Sequence, residues 1–210
     1  MSSEIEIVAQ VTSELKPNDV AYFAYGSLVN RHTRPMHTRA QPARLNGWLR
    51  QWKHCMDTPS GKACALTAVP RVGSQIEGVL VLDRRDKLAE VDRRETGYKR
   101  ERIVLQQSDI AVPITELETY IYVSTGDHNR WGTTEYPIWL SYVDCILAGC
   151  IDVWGRAGAE RFIASTEGWQ APLLDDRAAP RYPRALALEE TTRQVIDGLL
   201  KENGIIRSRF

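Results

Sequence analysis

Apolar and polar positions divide this chain into a first half that reads mainly as strands and a second half that reads mainly as helices. Val20–Ala24 is an unbroken apolar run, suited to a strand buried on both faces. Leu45–Trp52, Ala63–Val69 and Ile76–Leu82 are predicted as three more strands. They are separated by Asp57-Thr58-Pro59-Ser60-Gly61 and Val72-Gly73-Ser74, which carry turn chemistry. Arg84–Glu95 has helical periodicity and stops at Thr96-Gly97, after which Tyr98–Leu105 and Glu118–Ser124 return to strand character. Pro137–Cys150 is predicted as a helix opened by its proline, Asp152–Thr166 as a second, and Leu188–Glu202 as a third. The last of these sets Val195, Ile196, Leu199 and Leu200 on one face and halts at Asn203-Gly204.

Strands and helices in blocks, not in alternation, give an α+β fold class. A barrel-like sheet with helices outside would leave few exposed strand edges. No repeat or long Gly/Pro/Ser linker divides the 210 residues, so a single domain is expected. Within it, 1–19 reads as an N-terminal extension, 20–150 as the main body, and 151–210 as a helical C-terminal extension packed on it.

Lys plus Arg and Asp plus Glu both number 27, so no overall field favours nucleic acid or an anionic membrane. Asp144 and Asp152 interrupt the most apolar long stretch, Tyr136–Trp154, which therefore reads as a buried helix and not a membrane span. The first ten residues carry two glutamates and no apolar run, which sets the expectation of a cytoplasmic protein. The four cysteines (55, 64, 145, 150) form no CxxC pair, and the four histidines lack HExxH spacing. A zinc site would need His54, Cys55 and Cys64 to converge with a fourth ligand; ordinary buried thiols are the expected state, with no metal.

Two places carry candidate chemistry. At Tyr25-Gly26-Ser27-Leu28 the first strand opens into a small polar turn whose main chain a ligand can approach. In the Arg84–Glu95 helix, about 100° per residue places Glu95 within about 10° of the apolar centre set by Leu88 and Val91. Arg93 points away from that centre, Arg94 and Glu90 flank it, and Asp92 lies at its edge, about 70° off. Periodicity leaves three readings of Glu95 open: a carboxylate aimed into a site, a side chain freed by fraying, or half of a buried ion pair.

This pair of features resembles the gamma-glutamylcyclotransferase-like family. Its members carry a Tyr-Gly-Ser turn after the first strand, here Tyr25-Gly26-Ser27-Leu28. They also carry an acid after a short helix with a tyrosine and arginine beyond it, here Glu95, Tyr98 and Arg100. Ala65–Val69 and Ile76–Leu80 match strands of that barrel in order, and Pro137–Ile146, containing Tyr142, resembles a helix of the family. The turn between Glu95 and Tyr98 is slightly shorter than the family's, and Leu28 stands where many members have asparagine. That second departure is similar to the branch that includes glutathione-degrading enzymes.

The resemblance implies a mixed β-barrel with surrounding helices over roughly residues 20–150. The activity it implies is cyclisation of a γ-glutamyl compound to 5-oxoproline, releasing an amine or amino acid. The nucleophile and electrophile belong to one molecule, so neither a metal, an organic cofactor nor an enzyme nucleophile is demanded. The resemblance assigns Glu95 as general acid and base, with Tyr25, Gly26, Ser27, Leu28 and Tyr98 holding a small γ-glutamyl substrate.

Two other function classes remain. One is a catalytically silent member that binds γ-glutamyl-like ligands or serves in interactions. The other is single-stranded nucleic acid binding through the acid-free stretch from Ser27 to Met56, where Arg31, Arg34, Arg39, Arg44, Arg50 and Lys53 interleave with Trp48 and Trp52. Two further segments stand out. The polar loop 125–135 is expected to cover the pocket, and Arg181-Tyr182-Pro183-Arg184 is expected to be a surface tail.

Overall fold

The computed structural model describes residues 16, 18–106 and 117–208; most of the expected N-terminal extension lies outside them. Strand β1 (Asp19–Ala24) is buried along its whole length. It runs between two neighbours: antiparallel to β3 (Gly61–Arg84), and parallel to β5 (Thr119–Ser124). Along Val20–Ala24 a strand paired on both edges and buried throughout leaves little place for a charged side chain, which accounts for the continuous apolar run; the buried Asp19 stands at its start.

β2 (Arg39–Thr58) and β3 form one long antiparallel hairpin joined at Pro59-Ser60. The expected break at Val72-Gly73-Ser74 is instead a bulge inside β3. The ladder passes from the pair Asn46–Gln75 to the pair Trp48–Pro70, leaving residues 71–74 opposite Gly47. Turn residues can therefore bend a strand without ending it. The bulge divides the hairpin into a proximal half, on which β1 pairs, and a distal half carrying Leu66 and Thr67.

A 3₁₀ turn at Arg85–Lys87 leads into helix α1 (Leu88–Arg94), which is followed by β4 (Tyr98–Ile103), antiparallel to β5. The described strands give a mixed sheet in the order β4-β5-β1-β3-β2-β7, where β7 is Thr166–Glu167. No ladder joins β4 to β7, so the sheet is open and the expected closed barrel is not found among the described residues. The distal hairpin nevertheless folds back over β4 and β5 through side-chain bonds. Tyr98 Oη donates to the Leu66 carbonyl at 2.6 Å, and the Ser124 N–H donates to Thr67 Oγ1 at 2.9 Å.

The second half begins with a correction. Pro137 does not open a helix: Ile138–Trp139 form a short strand, β6, and helix α2 (Leu140–Ala164) starts beyond it. β6 heads a small parallel sheet with β8 (Leu173–Leu174) and β9 (Arg207–Ser208). The two predicted helices are one segment interrupted at Gly155, whose φ of 69° is left-handed. Helix α3 (Glu190–Glu202) seats Ile196, Leu199 and Leu200 in the same core cluster as β1 and α2. Residues beyond 150 therefore share the core of the sheet. No helix among the described residues is long and apolar enough to cross a membrane.

Candidate active site

The turn after β1 is held from several sides. Its own bonds run from the Val29 N–H to the Gly26 carbonyl and from the Asn30 N–H to the Ser27 carbonyl, both 3.0 Å. The N–H groups that open a helical turn take no part in its internal bonding. Thr33 Oγ1 donates to the Ser27 carbonyl at 2.6 Å, and Asn30 Nδ2 donates to the Cys145 carbonyl of α2 at 2.9 Å. Gly26 is closely approached: a Cβ there would lie 3.2 Å from Tyr142 Oη and 3.7 Å from Leu66 Cδ1. Tyr25 is buried and donates its hydroxyl to the Tyr122 carbonyl, while Leu28 is buried in the core.

Glu95 caps α1. Its N–H still bonds to the Val91 carbonyl at 2.9 Å, so the residue keeps its helical azimuth and the side chain turns inward as the periodicity requires. The side chain is 19% exposed, and what it faces is a cleft. Arg94, 13% exposed, lies against it with Nε 3.2 Å from Glu95 Oε1. The same guanidinium donates to Ser27 Oγ at 3.4 Å and to the Thr33 carbonyl, fastening the acid to the turn. The inward-facing and ion-paired readings of Glu95 therefore both hold. Asp92, the competitor at the edge of the stripe, is engaged elsewhere: its Oδ1 accepts from Tyr122 Oη and lies 2.8 Å from Arg100 Nε.

Two adjoining cavities meet at Glu95. The inner one, about 40 Å³, is walled by Tyr22 to Leu28, Leu66, Glu95, Tyr98, Tyr122 and Tyr142. The outer cleft, about 400 Å³, includes Ser27, Met56, Cys64, Tyr98, Tyr142 and Arg184 in its wall. Ser27, Glu95, Tyr98 and Tyr142 belong to both walls. All six sequence-predicted residues (Tyr25, Gly26, Ser27, Leu28, Glu95 and Tyr98) thus line one composite cavity. Burial raises the Glu95 carboxyl above its ordinary value, while the charges of Arg94 and Arg184 pull the other way.

Tyr98 is fixed by its bond to Leu66 and by stacking on His54, with ring centroids 3.7 Å apart. His54 is buried and its pKa is pushed down to about 3, first by burial and then by the nearby His128. It is therefore a neutral packing partner at ordinary pH. Cys55 and Cys64 face each other across the β2–β3 ladder, and no cluster of three or more metal-ligating side chains occurs among the described residues.

The 125–135 loop reaches the cleft through His128, while its Trp131 and Gly132 dock on β2. Cys55 Sγ lies 3.4 Å from the Trp131 carbonyl, and the Gly132 N–H donates to the Trp52 carbonyl at 3.3 Å. Arg181–Arg184 is not a surface tail as expected, because Tyr182, Pro183 and Arg184 form a wall of the outer cleft. Arg94, Tyr142, Tyr182 and Arg184 are among the lining residues that sequence reasoning did not assign. Tyr142 had a signal in its family-like helix, Tyr182 and Arg184 stood in a segment that the sequence already set apart, and Arg94 was placed only on the flank of the apolar stripe.

Several of the side chains behind the nucleic-acid reading have partners within the chain. Trp52 and Arg50 are buried, Arg50 under the Phe162 ring at 4.2 Å. Arg31 pairs with Asp152, Arg39 with Asp19 and Arg44 with Glu77.

Residues 22–139, more than half of the chain, match the family described as gamma-glutamyl cyclotransferase, AIG2-like. The chain belongs to that family. A solved structure titled gamma-glutamyl cyclotransferase superposes with a TM-score of 0.55 at 17% identity, covering 86% of this chain and 99% of that one. An uncharacterized protein from Homo sapiens superposes with a TM-score of 0.54 at 16% identity, with the same coverages of 86% and 99%. At these identities the likeness concerns the fold. No curated protein matches the chain.

Proposed function

We propose that this family member cyclises a γ-glutamyl compound to 5-oxoproline and releases an amine or amino acid. The observation that carries the reading is the position of Glu95, a carboxylate in the shared wall of a small inner cavity and a larger outer cleft. About 40 Å³ corresponds to roughly three water-sized groups. That is room for the α-carboxylate and amine end of a γ-glutamyl group, with the scissile amide at the junction and the leaving group in the outer cleft.

In this arrangement the turn at residues 25–28 meets the α-carboxylate and the developing oxyanion with main-chain N–H groups. Such groups are fixed before reaction and need no reorganisation. Glu95 takes a proton from the substrate amine as its nitrogen attacks the γ-carbonyl carbon and the ring C–N bond forms. The bond to the leaving nitrogen then breaks as Glu95 returns the proton to it. One carboxyl serves both steps, and partial burial brings its pKa closer to the working range. Arg94 orients the acid and Tyr98 supports the cavity wall; both are positioning residues.

The test is a panel of glutathione, γ-glutamyl amino acids and γ-glutamyl amines, assayed for 5-oxoproline with the wild type and Glu95→Gln. Release by the wild type with a fall of at least about 100-fold in kcat for the variant is expected. Full activity in Glu95→Gln rejects the mechanism. Binding without turnover in the wild type favours a catalytically silent ligand-binding module.

A further inference from the structure

The wall of the outer cleft formed by Tyr182, Pro183 and Arg184 comes from a part of the chain beyond the residues 22–139 that match the family. It is built in by a buried acid. Asp176 accepts the Ser141 N–H at 2.8 Å through Oδ1, and Ser141 Oγ at 2.6 Å and the Arg181 N–H at 2.8 Å through Oδ2. The Tyr182 N–H in turn donates to Ser141 Oγ at 3.2 Å, and the Tyr182 ring lies against Tyr142 with centroids 4.9 Å apart. The carbonyl of Tyr182 accepts the Ala185 N–H at 3.0 Å, closing a turn around Pro183 and Arg184. Arg184 is thereby delivered to the cleft on an anchored turn.

Three other ionisable groups of the cleft have partners within the chain. Arg94 is held by Glu95, Ser27 and Thr33. Asp57 Oδ1 accepts from Tyr136 Oη at 3.2 Å, and His128 Nδ1 lies 2.9 Å from the Cys55 carbonyl. Arg184 lines the cleft, is exposed to it, and has no hydrogen bond or ion pair among the described residues. A guanidinium offers five N–H donors in a fork that fits a carboxylate. Arg181 adds a second cation beside the mouth, its Nη1 3.4 Å from where a Cβ would stand on Gly61 in the hairpin tip.

We infer that Arg184 is a specificity-determining residue that holds a carboxylate on the leaving group, so that substrates releasing an amino acid or peptide are preferred over those releasing an uncharged amine. The inference rests on the cyclotransferase reading, because that reading puts the leaving group in the outer cleft.

γ-Glutamyl-alanine and γ-glutamyl-alaninamide differ only in the carboxylate and form the test pair, with glutathione as a peptide arm. Binding to Glu95→Gln protein by calorimetry should favour the acid over the amide by about tenfold or more. Adding Arg184→Ala should bring that ratio near one, and Arg184→Lys should keep part of it. The wild type should show the same preference in kcat/KM for 5-oxoproline release, expressed mainly in KM. If the acid is preferred and glutathione is not used, the preference is for a single amino acid; if both are used, peptides are included. Equal turnover of acid and amide, or a preference that survives Arg184→Ala, overturns the role of Arg184 while leaving the activity standing. No turnover of any of the three overturns the cyclotransferase reading and this inference with it.

Discussion

Arg94 and Glu95 are neighbours in the chain at the end of α1, and their side chains meet with Nε 3.2 Å from Oε1. Adjacent helical residues normally diverge by about 100°. Both nonetheless line one cleft: Glu95 faces into it from the C-cap, and the long Arg94 side chain reaches the acid from the flank. The guanidinium then spans from the acid to Ser27, joining the end of α1 to the turn after β1.

Removing this link should show in activity. Arg94→Gln is expected to lower kcat/KM by about 10- to 100-fold, through loss of orientation of Glu95 and loosening of the turn. Arg94 also opposes the burial-driven rise of the Glu95 carboxyl, so its loss should move the acidic limb of the pH–rate profile to higher pH. A profile that falls in height without moving would show that Arg94 acts on structure alone.

Glu95 itself should cost stability at neutral pH. Its folded pKa is raised above the unfolded value, so between the two values the folded state binds more protons. Stability from this group is greatest below the unfolded carboxylate value and declines as pH rises through the folded one. Glu95→Gln, which mimics the protonated acid, is expected to unfold at a higher temperature than the wild type near pH 7. The difference should vanish near pH 4. Thermal denaturation across that range checks the sign.

Gly26→Ala should be mildly destabilising, by about 1 kcal/mol, because the new methyl would press on Tyr142 Oη at 3.2 Å. Removing that hydroxyl as well, in Gly26→Ala with Tyr142→Phe, should recover most of the loss. Strict additivity of the two changes in a denaturant double-mutant cycle would show that the contact is not the cause.

Gly78→Ala should be far worse. A Cβ at Gly78 would fall 2.4 Å from the Ala24 carbonyl oxygen and 2.7 Å from Phe23 Cζ, where β3 crosses the buried end of β1. Neither the backbone nor the packed ring can give way cheaply, so a loss of about 3 kcal/mol or a failure to fold is expected. Chemical denaturation or soluble yield would read this directly.

Asp176→Ala should release the cleft wall. Three bonds to a buried carboxylate are lost, two of them from backbone N–H groups, at an expected cost of about 2–4 kcal/mol. If the protein remains folded at low temperature, KM should rise more than kcat falls, because the Tyr182–Arg184 turn contacts the leaving-group side of the cleft. An unchanged KM would separate the anchor from substrate binding.

The sequence by itself determined the local parts of this protein. A continuous apolar run marked β1, and the period of Leu88, Val91 and Glu95 nominated the acid as inward-facing, an orientation that the Glu95 N–H bond to Val91 then held in place. The amphipathic face of α3, with Ile196, Leu199 and Leu200, was likewise visible. These are properties of neighbours within a turn or two, where backbone geometry dictates side-chain direction. Tertiary structure decided what depends on distant pairing. Residues 71–74 bulge because Gly47 and the rest of β2 hold β3 in register around them. Pro137 sits before β6, not in a helix, because β8 supplies a strand to pair with and Asp176 supplies the cap that α2 lacks locally. Arg184 reaches Glu95's cleft through a buried acid, an arrangement without any sequence period. Separations of this kind are set by which side chains find partners once the core has closed, and no local pattern encodes them.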